Sequence, residues 1–495
     1  MSEAAHRDDS PAAAEPARSV DALLEAIRTG PQGPQVGAFF DFAGTVVDGF
    51  RRPGPLRRFT GRRRPHDAAH TLRDSIRTGT TDGEYGQFLQ AAQHTLAGCT
   101  EDDLTAAGRA LFRTELYEQV FPEAWLLVQA HREAGHTVVL ISSLTRFQLR
   151  PVADELGIEH LLCTELAVDG GALTGYLDGK PLWRSGKADA ALAFAQARGI
   201  QLGNSWVYAD SLADLPLLEL AGRPVAVAPD SRLALVAAER RWAAPTFRPR
   251  RPPTPLDAVR TAAGFAAMLG GALLGVLARS YTGERSKMAD GLLAFATRGV
   301  LTTTGVRLRV TGTEHARGPR PAVFLFNHQS QYDVFIVPRV LNGGVTGVGK
   351  QELTKNPIFG PLMRFVGVTF IDRTSTDSAK ASLAPVVRTL GEGLSIAIAP
   401  EGTRSYTPRL APFKKGAFHI AIQAGVPIIP IVIRNAGEVC RRNAAVARPG
   451  VVDVAILPPI DVSGWDPAAL DEKVEQVRRQ YLHTLLHWPG QKDLT

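Results

Sequence analysis

The sequence predicts two α/β domains in one chain, and three observations carry that expectation. Short apolar runs at 36–40, 138–141 and 206–209, and again at 323–326, 368–371, 396–399, 428–433 and 452–457, alternate with stretches of helical period. That alternation is the pattern of mainly parallel sheets flanked by helices. Between the two sets lies APTFRPRRPPTPL at 244–256, where five prolines and three arginines oppose a regular helix or central strand. The length of 495 residues also suits two to four domains at roughly 150 residues each.

Composition narrows the class. Hydrophobic residues make up 44% and charged residues 21%, ordinary globular usage, and the 47 glycines and 34 prolines follow no period. Collagen-like, repeat-only and disulfide-stapled chains are excluded. Cys99, Cys163 and Cys440 lie too far apart for a disulfide framework or a zinc cluster, which fits a reducing, intracellular setting. The first twenty residues carry acids and prolines and no apolar core, so they do not read as a secretory signal. The expected division is a disordered tail at 1–34, a first domain at 35–243, a linker at 244–256, membrane-associated helices at 257–305 and a second domain at 306–495, closed by an amphipathic helix around 467–486.

Charge is uneven. The formal excess is +7. Arg51, Arg52, Arg57, Arg58, Arg62, Arg63 and Arg64 form one run, and Arg240, Arg241, Arg248, Arg250 and Arg251 form another. Either run can be a solvated loop or meet anionic lipid. No stacking aromatics or recognition helix accompany them, so no nucleic-acid partner is expected. The second run precedes TAAGFAAMLGGALLGVLA at 261–278, eighteen residues without a charge. As a helix this spans about 27 Å, the lower edge of bilayer thickness. Membrane contact and a buried core helix are both open readings, and GGALLG permits a close helix pair.

Past the run 323–326 comes NHQSQYD, with His328 and Asp333 five apart. A histidine near neutral pKa can take a proton from a hydroxyl, and a carboxylate on its other nitrogen fixes the tautomer. GVTFIDR places Arg373 after a second run, and APEGTRS places Glu401, Gly402, Thr403 and Arg404 after a third. Strand ends of an open α/β sheet bind ligands, and arginines there can grip a phosphate by paired hydrogen bonds. VPIIPIVI at 426–433 is too broken by proline for an ordinary central strand. These four blocks, in order over 322–434, resemble the glycerolipid acyltransferase family, specifically the 1-acyl-glycerol-3-phosphate (lysophosphatidate) acyltransferases. The resemblance implies acyl transfer from acyl-CoA or acyl carrier protein to lysophosphatidate at the cytoplasmic face of a membrane, without a metal. It implies His328 as general base, Asp333 as its orienter, and Arg373, Glu401, Gly402, Thr403 and Arg404 as the acceptor phosphate site.

In the first half, VGAFFDFAGT ends an apolar run at Asp41 beside a Gly44 turn. A carboxylate there can attack phosphorus while free amides hold its oxygens. Downstream, Ser142 and Lys187 offer a hydroxyl and an ammonium for phosphate, and Asp210 and Asp214 a carboxylate pair for a divalent metal. The stretch 36–229 resembles the haloacid dehalogenase superfamily, in its phosphoserine-phosphatase-like branch. The resemblance implies a Rossmann-like fold, a helical cap between 50 and 118, and Mg2+ held by Asp41, the Ala43 carbonyl, Asp210 and Asp214. One departure stands out. The superfamily reads Asp-x-Asp-Gly-Thr, whereas this chain has Ala43 where the general acid/base carboxylate belongs, so phosphatase turnover is not expected at the usual rate.

Overall fold

A computed structural model describes residues 19–48, 94–114, 116–247, 251–371 and 383–489. The chain divides into two compact units, Met1–Arg250 and Arg251–Thr495. Residues 1–18, the arginine run at 51–64, Arg248, Arg250, Arg373 and most of the expected cap lie outside the described residues.

The first unit is built on five parallel strands: β1 (Gly37–Asp41), β2 (Thr137–Thr145), β3 (His160–Thr164), β6 (Trp206–Ala209) and β7 (Arg223–Ala226), in the order β3-β2-β1-β6-β7. Two further strands, β4 (Leu166–Asp169) and β5 (Ala172–Leu177), form a separate hairpin. Chain order reverses at β1, so the crevice beyond its C-terminal end is the ligand position of such a sheet. Every residue of β1 is buried, which explains its unbroken apolar reading. Of the expected cap, Glu101–Thr114 is helical, and Gly108 lets it press against the Phe147 carbonyl.

Two boundaries need correction. The tail does not extend to residue 34: Val20–Thr29 is a helix capped by Ser19, with Leu23, Leu24 and Ile27 buried along one face. The linker is shorter than 244–256. Phe247 is buried against Phe121, and Thr254 with Asp257 forms a capping box that starts a helix at Pro255, where the missing N–H costs nothing.

A buried hydrogen-bond chain fastens the segment after the first helix. His136 Nε2 faces the Pro31 carbonyl at 2.9 Å and must donate, so its Nδ1 accepts from His131 Nδ1 at 2.7 Å. His131 Nε2 then accepts from the Tyr208 hydroxyl at 2.8 Å. Burial lowers the pKa of both histidines, His131 well below its usual value, because a charged ring there would also put two donors face to face. A depressed histidine contributes stability that is lost as pH falls through the unfolded value of about 6.5. The stability gap between the native chain and His131→Phe should therefore narrow by about 1–2 kcal/mol between pH 7 and 5. Thermal unfolding of the first unit measures it, and a gap independent of pH would disprove the protonation argument.

Among the described residues the second unit holds seven strands: β8 (Val306–Thr311), β9 (Val323–Phe326), β10 (Val345–Lys350), β11 (Thr369–Ile371), β12 (Ser395–Ile398), β13 (Ile428–Arg434) and β14 (Gly450–Ile456). Their order is β11-β10-β12-β9-β13-β14-β8, parallel except between β13 and β14. Against expectation, the proline-broken run is an interior strand. Pro430 sits where the ladder with β14 is interrupted, between the Ile431–Ile456 pair and the Ile428–Ile460 bridge, so the blocked nitrogen is not asked to donate.

Ahead of this sheet the helices Pro255–Arg279 and Arg285–Thr303 form a hairpin. Gly275 and Gly291 face each other so closely that a Cβ on either would meet the other's carbonyl within 2.3 Å, and Gly271 abuts the Phe295 carbonyl. The opposite face is apolar and open: Val259, Leu273, Leu274 and Leu277 are each about 60% exposed. Only 22% of the apolar window is buried, which disfavours the core-helix reading.

Candidate active sites

In the second unit the site grows out of the central strand β9. Asn327, fully buried, donates its amide to the Ile433 carbonyl at 2.8 Å and accepts from the Ile433 N–H at 2.7 Å. It thus prolongs the β9–β13 ladder by one rung, which needs a side chain that both donates and accepts. His328 follows. Its N–H donates to Glu401 Oε1 at 2.8 Å, and its carbonyl accepts from Ser405 N–H at 2.9 Å. Its ring Nδ1 lies 2.8 Å from Asp333 Oδ2, which also accepts from the N–H groups of Gln329 and Ser330, both at 2.9 Å.

A carboxylate only accepts, so Nδ1 carries the proton and Nε2 keeps its lone pair. The Asp333 side chain is 0% exposed and that of His328 21%, so the carboxylate is sealed while the ring can be reached. Asp333 also opens the helix Asp333–Leu341, where the helix dipole favours a negative charge.

Glu401, expected at the acceptor phosphate site, is held by the chain's own donors. It is 3% exposed, and Oε2 accepts from Ser405 Oγ and Ala411 N–H, both at 2.9 Å, while Oε1 holds His328. Burial raises its pKa against the pull of these donors. It ties the His328 loop to the EGTRS loop. Gly402, at φ 74°, lets the Lys414 side chain pass where a Cβ would come within 3.1 Å of its ammonium. Thr403 is exposed. Arg404 is half-buried, and its Nη1 donates to the Arg442 carbonyl at 2.7 Å. Burial and the neighbouring Arg442 lower its pKa, whereas Asp333 acts in the opposite sense.

In the first unit, Asp41 closes β1 and Asp210 follows β6, with Asp214 four residues on. The register pairs Asp41 with Ile141, which puts buried Ser142 one residue further along β2 at the same edge. One carboxylate oxygen from each of Asp41, Asp210 and Asp214 lies within 4.8 Å of the others. Lys187 Nζ reaches Asp41 Oδ1 at 2.6 Å and Asp214 Oδ1 at 2.7 Å, from a helix entered through Arg184 at φ 48°.

Burial raises the Asp41 pKa to about 6 even against Lys187. Burial, then Asp41 and Asp214, raises that of Asp210 to about 8. Burial opposes the Lys187 charge, but Asp214 and Asp41 outweigh it and hold its pKa above the usual value. Crowded, desolvated carboxylates of this kind are what a divalent cation relieves, so the donor set fits Mg2+. Gly44 is part of the fit: at φ 81°, a Cβ there would fall 1.9 Å from Asp210 Oδ2. Ala43 brings its main chain to this turn but no carboxylate.

Residues 307–434 match the acyltransferase family profile, and residues 38–219 match that of the haloacid dehalogenase-like hydrolases. The chain joins an acyltransferase domain to a haloacid dehalogenase-like domain. The acyltransferase domain is similar to 1-acyl-sn-glycerol-3-phosphate acyltransferase of Limnanthes douglasii, 34% identical over 37% of this chain and 64% of that protein. It is also similar to the human alpha enzyme of that name, 34% identical over 36% and 63%. The chain therefore spans somewhat less than two thirds of these relatives. A solved 1-acyl-sn-glycerophosphate acyltransferase from Thermotoga maritima aligns with a TM-score of 0.38 at 23% identity, over 46% of this chain and 97% of that one.

Within the acyltransferase domain, sequence reading passed over Arg442, which touches Arg404 although 38 residues separate them. It also missed that Asn327 and Glu401 are braces, since their partners lie 106 and 73 residues away. In the haloacid dehalogenase-like domain, Asp41, Lys187, Asp210 and Asp214 lie together.

Proposed function

We propose that the acyltransferase domain moves a fatty acyl group from acyl-CoA or acyl carrier protein to the free hydroxyl of 1-acylglycerol 3-phosphate, giving phosphatidate. The observation that carries this reading is the 2.8 Å His328–Asp333 contact, sealed on the carboxylate side and open at the ring. His328 Nε2 takes the acceptor proton as the hydroxyl oxygen attacks the thioester carbonyl. Asp333 stabilises the imidazolium, the C–S bond breaks, and the departing thiolate takes that proton back. Arg404 and Arg373 are assigned to the acceptor phosphate, with Gly402 and Thr403 shaping the loop between.

The open apolar face of the Pro255–Arg279 helix supports a resting place on the membrane surface; the cytoplasmic side is assigned on the family resemblance alone. In the haloacid dehalogenase-like domain, Asp41, the Ala43 carbonyl, Asp210 and Asp214 would hold Mg2+, which would neutralise a bound phosphate. Ser142 and Lys187 would position that phosphate, and Asp41 is the nucleophile. Without a carboxylate at position 43 the domain is assigned phosphoester binding with little turnover.

One experiment tests the main reading. The purified chain is mixed with anionic vesicles containing lysophosphatidate and with labelled acyl-CoA or acyl carrier protein, then floated. Labelled phosphatidate and co-flotation of the chain are expected. An absence of product with either donor would reject the acyl-transfer assignment, and a chain left at the bottom of the gradient would reject the membrane one.

A further inference from the structure

The segment that follows β13, residues 440–444, belongs to none of the four sequence blocks yet is fastened to two of them. Ser330 Oγ donates to the Cys440 carbonyl at 2.5 Å, and Gln331 Nε2 to those of Arg442 at 3.0 Å and Ala444 at 3.1 Å. Arg404 Nη1 donates to the Arg442 carbonyl, and Arg442 Nη1 donates in return to the Arg404 carbonyl. The Arg442 guanidinium lies over the Tyr406 ring, 4.2 Å from its centroid. The two arginines are thereby locked together, close enough for Arg442 to act on the charge of Arg404, whose loop also touches His328.

Like charges so placed repel, and the burial of Arg404 strengthens the repulsion. Among the described residues neither guanidinium has a carboxylate ion-pair partner; the acid that acts on Arg404 is Asp333, already engaged by His328. An arrangement that concentrates positive charge beside a reactive base, and braces it with reciprocal main-chain bonds, is built for an anion. Each guanidinium uses one N–H on the other's carbonyl and has a forked edge remaining, the geometry that matches phosphate oxygens.

We propose that Arg442 is a second binding group for the acceptor's phosphate, set beside Arg404 by the 440–444 strap. This rests on the acyl-transfer reading above. The same chemistry could also meet the phosphates of acyl-CoA, so the test separates acceptor from donor. Arg442→Ala and Arg442→Lys are made in the full chain and assayed on vesicles with lysophosphatidate and acyl-CoA varied independently.

For Arg442→Ala the KM for lysophosphatidate should rise on the order of ten- to hundredfold, the range of one or two charge-assisted hydrogen bonds. kcat should stay within about threefold and the KM for acyl-CoA should not move. Arg442→Lys should recover part of the loss. Gln331→Ala loosens the same strap without removing a charge, so its acceptor KM should rise too, but only about two- to fivefold and well short of the rise for Arg442→Ala. A rise in the acyl-CoA KM instead, an equal rise for Gln331→Ala, or an unchanged acceptor KM for Arg442→Ala would each overturn the proposal. A native chain that transfers nothing to lysophosphatidate would instead reject the underlying assignment.

Discussion

His328→Ala should lower acyl transfer by about 10²- to 10⁴-fold while leaving the fold in place, because general-base assistance is worth that much and the acceptor hydroxyl is a very weak acid. The fold survives for a local reason. Asp333 Oδ2 still accepts from Gln329 and Ser330, and the main chain of residue 328 keeps its bonds to Glu401 and Ser405. Asp333→Asn should cost as much by a different route: an amide no longer fixes the proton on Nδ1 or stabilises the imidazolium, so kcat falls and the acceptor KM stays. Glu401→Gln separates the two possible roles of that residue. As a brace, it should lower kcat and melting temperature together with little change in acceptor KM, since an amide would point N–H groups at N–H donors. Steady-state kinetics and thermal unfolding on the three variants decide this. Near-native turnover in His328→Ala would refute the mechanism.

What could be read in advance follows physical lines. The strands at 206–209 and 323–326 were legible because both faces are covered, so every position is apolar. His328 and Asp333 were legible because five residues bring them together through local turn geometry alone. Glu401 was visible as a carboxylate near a strand end, but its partners are the amides and hydroxyl of distant residues, which leave no trace in local pattern. Gly44 could be read as a turn, whereas its need to make room for Asp210 emerges only when β1 and β6 lie side by side. Proline in β13 misled for a comparable reason: the rule against central prolines holds for a continuous ladder, and here the partner strand is broken at that point. The strand β8 was overlooked although VRLRVT alternates with period two, the one local signal that would have found it.

Restoring a carboxylate at position 43 should raise phosphomonoester hydrolysis by at least about tenfold, the low side of general acid/base contributions. The reasoning starts from what the first unit retains. Asp41 stands at the C-terminal end of the central strand β1, Lys187 is within 2.7 Å of Asp41 and Asp214, and the three aspartates lie close together. What position 43 lacks is the carboxylate that the superfamily resemblance assigns to protonating the leaving oxygen and then deprotonating the water that hydrolyses the phosphoaspartate. Ala43→Asp supplies one from the same turn, two residues past Asp41. Ala43→Asp with Asp41→Asn should be inactive, since no nucleophile remains. Binding offers a readout independent of turnover: Mg2+ should displace the proton that burial, aided by Asp41 and Asp214, places on Asp210, so titration of the native chain with the metal near pH 7 should release acid and raise the melting temperature. If Ala43→Asp hydrolyses nothing and Mg2+ leaves the melting temperature unmoved, the domain has lost more than one group and serves the acyltransferase as a folded partner. Brisk hydrolysis by the native chain would contradict both accounts and would direct attention to Asp48, just past the same turn, as a substitute carboxylate.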